Sequence, residues 1–161
     1  MLSEKELEEI ERELAKYGDA GTKRAACVEA LKIVQRYRGW ISDESLRDIA
    51  GALEMTPDEL DSVATFYNLI FRRQVGRHVI LICTTISCWV MGYEEILNHL
   101  QERLGIKPGE TTADGRFTLL PVPCLGACDG APAIMIDDTL YPNVSLVLID
   151  NILNNYNGGP R

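Results

Sequence analysis

Four of the five cysteines fall into two short pairs, which constrain the fold more than any other feature of the sequence. The first pair is Cys83-Thr-Thr-Ile-Ser-Cys88 and the second is Cys124-Leu-Gly-Ala-Cys128, with 35 residues between them. Each pair begins where a strand-like hydrophobic run ends. Two such strand ends lying side by side in one sheet would bring all four thiols within reach of a single centre.

Four thiolates around one site suit either zinc or an iron–sulfur cluster, since both prefer soft sulfur donors. The spacings of four and three residues within the pairs are compatible with structural zinc but do not single it out. Both kinds of centre carry the same charge of −2 with four thiolates, so charge does not separate them either. Spacing alone therefore leaves both open.

Small residues crowd the two cysteine loops, among them Gly92, Gly126 and Gly130. Backbone N–H groups can approach sulfur closely in such loops, and these hydrogen bonds are one means by which proteins set the potential of a cluster. We expect a side chain at Gly126 either to push these N–H groups away from sulfur or to force a strained φ.

Other kinds of site lack their sequence signatures. No Cys-x-x-Cys dithiol motif is present, and the only histidines, His78 and His99, lie outside both cysteine loops, which argues against a Rieske-type site. No Gly-x-Gly-x-x-Gly or phosphate loop occurs, and the segment from Gly18 to Lys23 has the wrong spacing for one. We therefore expect no catalytic residues and no independent NADH or flavin site in this chain.

Composition limits the partners and the compartment. A net charge of −8 over 161 residues argues against nucleic acid or an anionic membrane surface as a partner. The longest uncharged stretch, 79–93, is too short to cross a bilayer, and the acidic N-terminal residues lack the apolar core of a signal peptide. An odd number of cysteines without such a signal is typical of the reducing cytoplasm. Any membrane association is expected to come through partners.

Hydrophobic periodicity predicts an α+β chain with two parts. The first part, 1–75, is a subdomain of four helices, predicted at 3–17, at 23–36, after Ser42, and from Thr56 to about Tyr67. The second part, 76–161, follows a βαββα pattern that outlines a thioredoxin-like sheet. Its elements are predicted as strands near 78–83, 117–120, 133–136 and 139–141 and helices at 90–104 and 145–156, followed by a loose tail.

Two features of the helical part need separate interpretation. Cys27 lies within a helix far from both pairs, and we interpret it as a small buried hydrophobic residue. The segment 63–71 is apolar on nearly every side. Packing between the two parts of the chain is the preferred interpretation of this segment, and contact with another subunit is the alternative.

At its cysteine motifs the sequence resembles the 24-kDa-type, or E, subunit of NADH–quinone oxidoreductase, respiratory complex I. The matching motifs are Cys83-x4-Cys88-x3-Gly92, Asp114-Gly-Arg-Phe-Thr-Leu119 and Cys124-Leu-Gly-Ala-Cys128-Asp-Gly-Ala-Pro-Ala-Ile-Met. Two upstream pieces, Val63-Ala-Thr-Phe-Tyr67 and Ala30-Leu31 through Gly39-Trp40, are also similar to the family. The likeness extends from about residue 14 to residue 142.

The resemblance implies a thioredoxin-like [2Fe–2S] ferredoxin domain with one cluster ligated by Cys83, Cys88, Cys124 and Cys128. It implies an electron-transfer subunit of the proton-translocating NADH:quinone oxidoreductase, next to a subunit that binds flavin mononucleotide and NADH and among other peripheral-arm subunits. The expected location is cytoplasmic, at the inner face of the cell membrane through the complex. A diaphorase subunit of an NAD-linked hydrogenase or formate dehydrogenase stays open, as does a zinc-stabilised interaction module without a redox role.

Overall fold

The structure, a computed structural model, describes residues 1–17 and 23–156. The chain divides into two compact units, Met1–Gln74 and Val75–Arg161. Two sequence predictions, the helix stop at Gly18 and the loose tail over 157–161, lie outside the described residues. Helices and strands occur together, which confirms the predicted α+β class.

The first unit is helical. Its helices are α1 (Glu4–Ala15), α2 (Cys27–Arg38), α3 (Asp43–Ala52) and α4 (Pro57–Phe66), with a 3₁₀ turn at Lys23–Ala26 before α2. The predicted capping boxes of α1 and α4 both form, because Ser3 and Thr56 each accept a hydrogen bond from the third helical N–H. Apolar residues from all four helices, including Ile10, Leu31 and Ile49, form one core.

A partly buried ion pair joins the first three helices. The Arg38 guanidinium donates from Nε and Nη2 to the two carboxylate oxygens of Glu6, at 2.7 and 2.8 Å, and from Nη1 to the Ser45 hydroxyl. These hydrogen bonds outweigh burial and lower the pKa of Glu6 to about 2. The carboxylate therefore remains charged down to strongly acidic pH, and α1, α2 and α3 stay joined.

The second unit is built on a four-stranded sheet with the order β2-β1-β3-β4. Strands β1 and β2 are parallel, and β3 and β4 form an antiparallel hairpin next to β1. The strands are β1 (His78–Cys83), β2 (Phe117–Val122), β3 (Ile134–Ile136) and β4 (Thr139–Tyr141), and the helices are α5 (Ile86–Val90), α6 (Tyr93–Leu104) and α7 (Leu146–Asn155). This is the predicted βαββα pattern with one added helix.

The register of β1 and β2 determines where the cysteine loops begin. Pairing runs without interruption from His78 opposite Phe117 to Cys83 opposite Val122, so both strands end at the same edge of the sheet. Buried residues of the strands, such as Ile80 and Leu119, pack in one core with residues of α6 and α7. This core holds the two strand ends side by side.

The prediction of one helix over 90–104 is wrong. Two helices occupy this region, the short α5 and the longer α6, and Gly92 lies between them with φ of +90°. A left-handed glycine at this position ends the first helix and lets the chain start the second in a new direction. As a result Cys88 lies within a helix of its own.

The apolar segment 63–71 is largely exposed rather than enclosed. Phe66 is 80% exposed, and Tyr67 and Leu69 are also exposed, whereas Ala64 and Ile70 are buried in the helical core. The first unit by itself therefore does not cover the apolar side chains at the end of α4. No helix among the described residues is long and apolar enough to cross a membrane.

Candidate metal centre

The first cysteine pair is buried in the second unit. Cys83 is the last residue of β1 and Cys88 is the third residue of α5, and their exposed fractions are 2% and 1%. They pack together with Ala131 and Ala133 in a small cluster apart from the main core. Cys83 thus lies at the end of a hydrophobic strand, and the helix that begins three residues later places Cys88 in the same buried cluster.

The second pair is exposed. Cys124 follows the end of β2 by two residues, and Cys128 begins a single 3₁₀ turn, Cys128–Gly130. The sulfur of Cys124 accepts a hydrogen bond from the backbone N–H of Gly126 at 3.3 Å. One backbone N–H of this loop therefore faces a sulfur of the same loop, an approach that the small residues of the sequence allow.

Hydrogen bonds and charge connect the two loops. The neighbouring Cys88 thiol and the backbone N–H of Leu125, in the second loop, both help to lower the pKa of Cys83. Charge on Cys83 and Cys128 also contributes to the raised pKa of Cys88. Residues of both predicted pairs therefore act on the same buried sulfur atoms.

The two buried thiols differ in acidity. Burial opposes ionisation of Cys83, but hydrogen bonds from the Thr85 hydroxyl and from the backbone N–H groups of Thr85 and Leu125 outweigh it and lower its pKa to about 7. Burial raises the pKa of Cys88, and the neighbouring Cys83 adds to this despite a hydrogen bond from Ala133 N–H. The pocket thus favours a thiolate on Cys83, the form that binds metal.

The described residues do not form a preassembled site for a single metal ion. Among residues 1–17 and 23–156, no three His, Cys, Asp or Glu side chains converge closely enough to hold one metal ion. A structural zinc site needs four ligands around one ion, whereas a two-iron cluster needs only two thiolates on each iron. Four cysteine thiols can meet either requirement, so their arrangement leaves both kinds of centre open.

Two glycines shape the second loop in different ways. Gly126 has φ of +76°, and a Cβ atom there would meet nothing within 4 Å. Of the two expected effects of a side chain, the structure supports the strained φ, since the surroundings leave room for a Cβ atom. At Gly130 the lack of space opposes a side chain, since a Cβ atom there would lie 2.5 Å from the Cβ of Pro142.

The remaining cysteine and both histidines lie elsewhere. Cys27, at the start of α2, is partly buried against the helical core, in agreement with the predicted packing role. His78 pairs through Nδ1 with Asp137, and His99 pairs through Nε2 with Asp150. Each has a structural partner of its own, and neither belongs to a cysteine loop.

Sequence reasoning missed the residues of α5 around Cys88. Four large apolar side chains there are exposed: Ile86, Trp89, Val90 and Met91. It also missed Thr85, whose hydroxyl lies 3.2 Å from the sulfur of Cys83. The signal for α5 was a threonine at the start of a short apolar run that Gly92 ends, which is the pattern of a capped helix, whereas the contact of Thr85 with sulfur had no sequence signal.

Comparison with known proteins identifies the family. A family model described as thioredoxin-like [2Fe-2S] ferredoxin matches residues 10–157. The E-type subunit of the NADH-quinone oxidoreductase of Pseudomonas aeruginosa is 50% identical over 144 residues, which cover 89% of this chain and 85% of that protein. Its counterpart in Escherichia coli strain K12 is 47% identical over 155 residues, 96% of this chain and 92% of that protein. The chain belongs to this family of thioredoxin-like [2Fe-2S] ferredoxins.

A more distant likeness comes from a solved structure. The crystal structure of an NAD⁺-reducing [NiFe]-hydrogenase in the H₂-reduced state matches 81% of this chain at 26% identity, with a TM-score of 0.71. The match covers 22% of that hydrogenase chain. The E-type subunits are therefore considerably more similar to this chain than the hydrogenase is.

Family membership decides between the two metals that the spacing left open. The cofactor of the thioredoxin-like [2Fe-2S] ferredoxins is a [2Fe–2S] cluster, and the E-type subunits are parts of an oxidoreductase complex with partner subunits. The resemblance drawn from the cysteine motifs is confirmed. The cofactor prediction is confirmed with it.

Replacing Gly126 with alanine tests the role of the second loop. The methyl group has room but forces a left-handed alanine, at a cost of about 1–2 kcal/mol, or moves the N–H that faces Cys124. We expect Gly126→Ala to lower the iron and sulfide retained after anaerobic purification and to shift the midpoint potential of the retained cluster.

Gly109→Ala is the matched control, since Gly109 has φ of +89°, nothing within 4 Å of a Cβ atom and a place outside the cysteine loops. It should lose similar stability in urea unfolding but keep its cluster and potential. Equal iron content and equal potential in the two variants would exclude a special role for Gly126.

Proposed function

We propose that this chain is the one-electron carrier of an NADH-quinone oxidoreductase and that Cys83, Cys88, Cys124 and Cys128 ligate its [2Fe–2S] cluster. The observation that carries the proposal is the uninterrupted parallel register of β1 and β2, which starts both cysteine loops at one edge of the sheet. When bound, the cluster supplies reversible one-electron chemistry.

The residues of the site favour a negatively charged centre within a net acidic chain. Four thiolates and a two-iron, two-sulfide core have a net charge of −2, and one-electron reduction takes it to −3. The N–H groups of Leu125 and Ala133, toward Cys83 and Cys88, and that of Gly126, toward Cys124, point at the sulfur atoms. Such donors offset the accumulated charge, and burial of the first pair keeps water from it.

The proposed electron partner is a subunit that binds flavin and NADH. The sequence has no glycine-rich phosphate-binding motif, so nicotinamide and flavin chemistry must come from another chain. Relatives named as E-type subunits of an NADH-quinone oxidoreductase support this partner, and other subunits of the peripheral arm would complete the assembly. We place the chain in the cytoplasm, at the inner face of the cell membrane.

A diaphorase subunit of an NAD-linked hydrogenase is the second candidate. The likeness to the NAD⁺-reducing hydrogenase supports it at 26% identity, against 47% and 50% for the two E-type subunits. We therefore favour quinone over hydrogen as the second substrate of the complex. Both candidates assign this chain the same cluster and the same kind of electron transfer.

We assign different functions to the two units of the chain. Residues 76–161 contain all four proposed ligands and the complete sheet, and form the cluster-binding domain. Residues 1–75 contain no proposed ligand, and form a docking subdomain. Exposure of Phe66 and Leu69 supports this role, because clustered exposed apolar side chains are typical of protein–protein contacts.

The proposed ligand set is tested by single substitutions of all five cysteines. Cys83→Ala, Cys88→Ala, Cys124→Ala and Cys128→Ala should each abolish the visible spectrum or leave a small fraction of it, since each removes one thiolate. Cys27→Ser is the control and should keep the full spectrum, with a modest loss of stability from its partly buried site. A normal spectrum in Cys124→Ala, or a lost one in Cys27→Ser, would show that the ligand set is wrong.

The docking role is tested on the full chain with Phe66 and Leu69 both changed to serine. Because both side chains are exposed, the folded protein and its cluster should be unaffected. Affinity for the flavin-bearing subunit, measured by titration, should fall by about tenfold or more if these side chains anchor the contact.

Val147→Ser, at a residue of α7 that is 73% exposed, is the control for loss of an exposed apolar side chain and should bind normally. Unchanged affinity of the Phe66 and Leu69 double variant would refute the docking role of the segment 63–71. It would leave the ligand proposal intact.

A further inference from the structure

Thr85 precedes a helix whose backbone it does not cap. It has φ of −83° and ψ of 174° at the N-cap of α5, the conformation in which a threonine hydroxyl usually accepts a hydrogen bond from the first helical turn. The N-cap side chains of α1, α3 and α4 all make this bond, and that of α5 makes none. The Thr85 hydroxyl lies instead 3.2 Å from the sulfur of Cys83.

The direction of this hydrogen bond follows from the state of the sulfur. A cysteine that ligates iron is a thiolate and has no proton to donate. The hydroxyl must then be the donor and the sulfur the acceptor, which makes the bond charge-assisted. Unlike the backbone N–H donors of the site, this donor belongs to a side chain, so a single substitution removes it without altering the backbone.

We infer that Thr85 is a positioning residue that raises the midpoint potential of the cluster by donating a hydrogen bond to Cys83. The inference rests on the ligand set proposed above. Reduction adds one negative charge to the centre, and a donor to sulfur stabilises the more negative form to a greater extent. Loss of the hydroxyl should therefore make the cluster harder to reduce.

The neighbouring threonine provides a control that differs in one contact. Thr84 and Thr85 are both half-buried and adjacent in the same loop. The Thr84 hydroxyl donates instead to the carbonyl oxygen of Val122, at 3.2 Å. Thr84→Val therefore removes a hydroxyl and a hydrogen bond from the same loop while it leaves the bond to Cys83 in place.

The experiment compares five full-length proteins purified without oxygen: the parent, Thr85→Val, Thr85→Ala, Thr85→Ser and Thr84→Val. Iron and sulfide per chain are measured first, and midpoint potentials are then measured by redox titration monitored by electron paramagnetic resonance. We expect the equilibrium constant for reduction to fall by about three- to tenfold in Thr85→Val and Thr85→Ala, where tenfold equals 59 mV for a one-electron couple. Thr85→Ser and Thr84→Val should stay within about twofold of the parent.

Pulsed resonance spectra of the reduced proteins in D₂O give an independent signature. The parent, Thr85→Ser and Thr84→Val should share an exchangeable deuteron coupled to the cluster that Thr85→Val and Thr85→Ala lack. Equal potentials in the parent and the two hydroxyl-free variants would overturn the inference, as would an equal shift in Thr84→Val. Loss of the cluster from both hydroxyl-free variants would assign Thr85 a structural role and overturn it as well. Absence of iron from the parent would instead refute the proposed function.

Discussion

The parallel pairing of β1 with β2 is the constraint on which the rest of the second unit depends. Each strand ends in a cysteine loop, and a register that pairs Cys83 with Val122 brings those loops to one edge of the sheet. A shift of one residue would turn Cys83 to the opposite face of β1, away from the second loop. The buried aliphatic residues of the sheet, α6 and α7 hold this register, so packing of the hydrophobic core brings the starts of the two cysteine loops together.

The two cysteine loops would contribute different physical properties to the proposed site. The first supplies a buried pair, within a shell of alanines and a short helix, and the second supplies an exposed pair in a glycine-rich turn. Burial strengthens each hydrogen bond to sulfur, whereas exposure brings the other side of the centre within reach of a partner protein. An electron carrier needs both properties, because hydrogen bonds to sulfur set its midpoint potential and its electron must pass to a partner protein.

Prediction from the sequence succeeded where local chemistry determines structure. The ends of α1 and α4 follow from Ser3 and Thr56 with their paired glutamates, and the strand ends follow from β-branched runs that stop at cysteine. It failed at α5, since apolar residues continue on both sides of Gly92 and mask the glycine as a helix end. The contact of Thr85 with Cys83 could not be predicted either, because a threonine at a helix N-cap is expected to bond to the helix backbone rather than to a sulfur atom.

The most direct test of the account is a metal analysis of the anaerobically purified protein combined with ⁵⁷Fe Mössbauer spectroscopy. We expect about two irons and two sulfides per chain, with every iron in tetrahedral sulfur coordination, and a paramagnetic signal after reduction with dithionite. Stoichiometric zinc without visible absorption would contradict it, since the two cysteine pairs would then hold a structural ion with no redox chemistry.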